Sequence, residues 1–157
     1  MSNLQQMIES YAQGPGQLRQ AIAGMSKEQI IARPVANRWS TLEVIVHIAD
    51  FEPILADRMK RIISHDRPLL FTADENFFAT HLFYADRDLD EELNLIEYTR
   101  KQMVRILNKL PNEAGIRTGV HSQKGLVSLE SVLNSAINHI PHHIKFIMEK
   151  RKALGLS

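Results

Sequence analysis

Helical periodicity, opened and closed by recognisable end signals, most limits the folds available to this chain. Ser40-Thr-Leu-Glu43 has the form of a capping box, in which the serine accepts from the backbone three residues on and the glutamate reaches back. Trp39 stands before it, where a hydrophobic staple belongs. The run that follows repeats Ile45, Ile48, Phe51, Leu55, Met59 and Ile62 at steps of three and four, which predicts a long helix to about Ser64 with a bend at Pro53. A first helix is expected from about Asn3 to Gly24, kinked or broken by Gly14-Pro-Gly16. Ser26-Lys-Glu-Gln29, a second capping box, opens a short helix before Arg33-Pro34. Asp88 caps a third long helix ending near Leu110-Pro111, and Ser128 caps the last, to about Ala153, with Gly155 after it.

Between these lie two connections. Residues 65–86 form a long crossing loop holding Phe71, Phe77, Phe78, Phe83 and Tyr84, aromatics expected to pack onto the body of the protein. Residues 112–127 read as turns or a short hairpin. Four long helices so joined predict an all-α fold, a four-helix bundle in a single domain over 1–157.

Composition removes several function classes. The formal charge is +1, with no run of about five or six like charges, so nothing speaks for nucleic acid. Charged residues interrupt every apolar window before a membrane span is reached. The N-terminus lacks the basic start and apolar centre of a signal peptide, which makes the cytoplasm the expected compartment. There is no cysteine, so thiolate metal sites and an internal thiol nucleophile are excluded. Any metal must be held by His, Asp or Glu.

His139 and His143 stand four apart on the last helix, and helical phase carries both to the side of the arc formed by Val132, Leu133, Ala136, Ile140, Ile144 and Ile147. His142 points the other way. Pro141 lies between the two and removes one helical hydrogen bond. On the second long helix His47 borders the apolar arc, near Glu43 and Asp50, and Glu52 falls within the arc. A carboxylate aimed at a core needs a cation, a hydrogen bond or a proton, so Glu52 fits as a ligand, as a partner to an imidazole, or as a general base. His65, His81 and His121 lie in loops and read as surface groups, His81 being the one that could approach the site. Trp39 reads as core before substrate platform.

Trp39-Ser-Thr-Leu-Glu-Val-Ile-Val-His-Ile-Ala-Asp-Phe-Glu52, followed in order by Asn138-His-Ile-Pro-His-His143, resembles the DinB-like family over nearly the whole chain. The resemblance implies a four-helix-bundle metalloprotein whose three metal-binding histidines fall on His47, His139 and His143. Relatives of that family include bacillithiol- and mycothiol-dependent S-transferases and a mycothiol-dependent maleylpyruvate isomerase. The isomerase type carries a second domain that is not evident here. Dimers are common in the family, so a homodimer is expected, with a small-molecule substrate as the other partner. Three imidazoles leave an open coordination position, and imidazole suits zinc or nickel first and iron or cobalt next. The expected function is metal-dependent transfer of a low-molecular-weight thiol to an electrophile, in detoxification or stress response. Two alternatives stand: a metal-dependent hydrolase in which Glu52 or Asp50 manages the proton, and a non-catalytic metal-binding stress protein.

Overall fold

The computed structural model describes residues 3–156. Six α-helices and three short strands follow in the order α1 Asn3–Ile22, α2 Lys27–Ile31, α3 Thr41–Ser64, β1 Leu69–Leu70, α4 Glu75–His81, α5 Leu89–Leu107, β2 Thr118–His121, β3 Gly125–Ser128 and α6 Leu129–Ala153. One 3-10 turn precedes α5 and another follows it, at Tyr84–Asp86 and Asn112–Ile116. The four long helices α1, α3, α5 and α6 form the bundle, with α1 and α3 each packed against both α5 and α6.

The end signals act as the sequence implies. Ser26 and Ser40 each close a complete capping box, and Asp88 and Ser128 accept from the first-turn N–H groups of α5 and α6. Burial pulls the Glu43 carboxyl upward, but Arg33 and the Ser40 N–H hold it below the ordinary carboxylate range. Trp39 packs against the cluster containing Val44, four positions into α3, as a staple does.

Pro15, Pro53 and Pro141 all lie inside helices that run on through them. At Pro15 the reason is visible. Proline has no N–H, which frees the Tyr11 carbonyl four residues back, and Arg100 Nη1 donates to it at 2.8 Å. Gly14 makes the approach possible, because a Cβ there would stand 2.2 Å from Arg100 Nη1. The Gly14-Pro15 pair is thus a notch for a guanidinium from α5 and does not break the helix.

The core divides into two large apolar clusters along the bundle. One gathers Ile8, Tyr11, Met59, Ile62, Met103, Leu107 and Leu133; the other gathers Leu18, Ile45, Ile48, Ile96, Ile140 and Ile147. On each helix the sequence passes from one cluster to the other near Glu52, Arg100 and Ala136. Arg100, 1% exposed, donates to Glu52 Oε2 at 3.0 Å, to the Tyr11 carbonyl, and to the Ala136 carbonyl at 2.7 Å. Tyr11 donates its hydroxyl to Glu52 Oε1 at 2.7 Å, and the guanidinium lies 4.4 Å from the Tyr11 ring centroid. One cation therefore touches all four long helices.

The connections differ from expectation in three respects. Residues 65–86 carry β1, α4 and a 3-10 turn rather than a plain loop, and β1 pairs in parallel with β2, Leu69 opposite Val120. β2 and β3 form the antiparallel hairpin, Thr118 opposite Ser128. Gly119 seats this sheet on the bundle, since a Cβ there would stand 2.9 Å from Leu70 Cδ1 and 3.1 Å from Ile62 Cγ1. Of the five loop aromatics Tyr84 is buried and Phe78 half-buried, whereas Phe71, Phe77 and Phe83 stand 73%, 66% and 75% exposed. His121, read from sequence as a surface group, is 6% exposed and accepts from the backbone N–H groups of Gln123 and Lys124. Its imidazole braces the hairpin turn. No described helix is long and apolar enough to cross a membrane.

Candidate metal centre

His47 comes from the second turn of α3 and His139 and His143 from successive turns of α6, so the packing of α3 on α6 brings them together. One ring nitrogen from each lies within 4.8 Å of the other two. The Nε2 atoms of His47 and His139 stand 3.1 Å apart, and the ring centroids of the trio are 4.5 to 5.1 Å apart. His47 is 1% exposed and the other two are half-buried. His142 faces solvent, as helical phase requires, and His65 and His81 are exposed and are not part of the converging group.

Aromatic rings enclose the trio. Trp39 lies 5.4 Å and Phe51 4.8 Å from the His47 ring, and Phe146 lies 5.8 Å from the His143 ring. Burial in this wall disfavours the imidazolium. It is the largest cause of the depressed pKa values, about 4 for His47 and about 3 for His139 and His143. Mutual repulsion adds to the effect at His139 and His143, while Asp50 opposes it at His47.

These residues fit a divalent ion on three counts. The rings are neutral near pH 7, the state in which imidazole offers a lone pair. Two nitrogens bound to a tetrahedral ion at about 2.0–2.1 Å would stand about 3.3 Å apart, close to the observed 3.1 Å. The Nδ1 atoms of all three are buried without a protein partner, so no other protein group competes for these imidazoles. Zinc, nickel, iron and cobalt all accept such a set.

The two expected carboxylates are engaged elsewhere. Glu52 is 0% exposed, with one oxygen taken by Tyr11 and the other by Arg100. Asp50 Oδ1 is paired with Arg87 at 2.9 Å, and Arg87 in turn holds Glu92 at 2.7 Å. Burial, then the Asp50 charge, pushes the Tyr84 phenol up, which places Asp50 beside Tyr84. Neither carboxylate belongs to the group of converging ligand atoms.

Two features escaped the sequence reading. Arg100 occupies the core position in the series Leu93, Ile96, Arg100, Met103, Leu107, where a charged residue in an apolar arc was the available signal. Lys150 likewise continues the α6 arc one turn past Ile147 and is 2% exposed.

Fold and site together define a helical-bundle protein with a candidate three-histidine centre. Residues 10–147 match the model of the DinB superfamily, and the chain belongs to that family. It is 26% identical over 140 residues to a protein of Oceanobacillus iheyensis, covering 88% of this chain and 81% of the relative. It is 24% identical over 151 residues to YfiT of Bacillus subtilis, covering 96% and 85%. A Bacillus licheniformis protein is 26% identical over 153 residues, covering 97% and 87%. All three relatives bear the name "putative metal-dependent hydrolase". The fold superposes on the solved structure of YfiT with a TM-score of 0.90 at 23% identity, over 100% of this chain and 91% of the other. That structure is described as a probable metal-dependent hydrolase with an unusual four-helix bundle topology.

Proposed function

We propose that this protein is a metal-dependent enzyme that activates a small-molecule thiol for attack on an electrophilic substrate, with His47, His139 and His143 as the ligands. A divalent ion there supplies Lewis acidity, which acidifies a thiol or water in contact with it. One observation carries the preference for a thiol. Three neutral imidazoles converge, while Asp50 and Glu52, the carboxylates expected to manage a proton, are both held by arginines. A centre whose two expected proton-handling carboxylates are both paired with arginines suits the nucleophile that needs less help. A thiol has a pKa of about 8.5, against 15.7 for water.

The chain's own groups do the rest. Trp39, Phe51 and Phe146 keep bulk water from the imidazoles and hold them neutral. Since the chain has no cysteine, the thiol is brought in from outside. The names of the relatives favour a second reading, hydrolysis, in which water takes the place of the thiol.

Zinc- or nickel-loaded protein offered a chlorodinitrobenzene with cysteine, glutathione or bacillithiol separates the two readings, with hydrolysis of nitrophenyl acetate run alongside. Thiol-dependent conjugation that disappears in His143→Ala, with ester hydrolysis at background, is the expected result. Hydrolysis that disappears in the same variant, without conjugation, would establish the second reading instead. Metal uptake with neither activity would leave a binding protein.

A further inference from the structure

A cleft of ≈ 280 Å³ opens beside His143. Residue 143, Phe146 and Lys150 line it from successive turns of α6, and Trp39 and Val44 line it from the start of α3. Trp39, Val44 and Phe146 give it an apolar side, and the rest of its lining is polar and includes two cations, Lys150 and Arg38. Lys150 is buried to 2% exposure and makes one bond, to the Phe146 carbonyl at 3.2 Å, which leaves two of its three donors unused. Among the described residues no carboxylate pairs with either cation. Glu43 lies near Lys150 but is spent on Arg33 and the Ser40 N–H, and Glu149 is exposed on the same helix. Glu75 lines the cleft too and does not cancel both cations.

A buried ammonium without a counter-charge is costly, and a site that keeps one gains by receiving an anion. We infer that this cleft seats the substrate and that Lys150, assisted by Arg38, binds a carboxylate on a small molecule whose apolar body lies against Trp39, Val44 and Phe146. The inference rests on the three-histidine reading only for what happens next to the bound molecule, because the carboxylate seat itself contains no metal ligand but His143.

Trp39 is the only tryptophan in the chain, so its fluorescence reports occupancy of the cleft directly. Benzoate and its uncharged isostere benzamide are titrated into metal-free and zinc-loaded protein, and bound zinc is counted for each variant. We expect wild type to bind benzoate about tenfold or more tightly than benzamide, as a charge-assisted hydrogen bond implies. The ratio should fall to about one in Lys150→Met and partway in Arg38→Gln, with zinc content unchanged. Arg38 is exposed, so its variant is read even if Lys150→Met does not fold. A ratio near one in wild type, or a ratio unaltered in the variants that fold, overturns the inference. Selective benzoate binding by a protein that takes up no zinc would sink the metal-dependent reading and leave the carboxylate seat standing. Zinc uptake without charge preference would do the reverse.

Discussion

Arg100 is the residue on which most of the interior depends. Its guanidinium meets a carboxylate from α3, a carbonyl from α1 freed by Pro15, and a carbonyl from α6. Removing one partner of a buried pair leaves the other charge uncompensated, so Arg100→Ala should cost about 3–5 kcal/mol of unfolding free energy in urea titration. Gly14→Ala should destabilise wild type through the 2.2 Å contact with Arg100 Nη1, yet cost much less in the Arg100→Ala background. Additive effects in that double-mutant cycle would contradict the notch. The sequence marks Glu52 as a core-facing carboxylate that needs a cation, but does not name Arg100 as its partner. Gly14-Pro-Gly16 looks like a helix breaker until the partner from α5 is known, and that partner is far away in the chain. The histidines were more legible, because the spacing of His139 and His143 and the phase of α6 separate them from His142 without any tertiary knowledge. Their burial has a pH consequence. In metal-free protein the folded pKa values, about 3 to 4, lie below the ordinary 6.5, so the unfolded chain binds protons first as pH falls. The stability held above pH 6.5 is therefore lost progressively as pH drops toward 4 and then 3. Urea midpoints at pH 7.5 and 5 should differ more in wild type than in His139→Ala.

At the scale of elements, the capping boxes set where α2 and α3 begin, and they were readable because all their parts lie within four residues. Ser40→Ala removes the acceptor for the Glu43 N–H and should lower stability by about 1 kcal/mol, seen as a lower thermal midpoint. The small sheet was not readable, since Leu69 and Leu70 pair with residues 120 and 121 and two residues carry no periodicity of their own. The exposure of Phe71, Phe77 and Phe83 likewise follows from how β1 and α4 lie on the bundle, which composition does not encode. A basic residue near a helix C-terminus is ordinary, so the sequence does not single out Lys150; its burial beside Trp39 is a tertiary fact.

For the molecule as a whole, the bundle works as a frame that presses α3 against α6 and so holds three imidazoles around one point, with Arg100 and Glu52 locking the helices nearby. The family assignment and the YfiT-like fold agree with that frame. The most direct test of the central claim is elemental analysis of protein purified without a histidine tag, wild type beside His47→Ala, His139→Ala and His143→Ala. One divalent ion per chain in wild type, and close to none in each variant that remains folded, is the result expected. Negligible metal in wild type, or equal metal in wild type and variants, would contradict it.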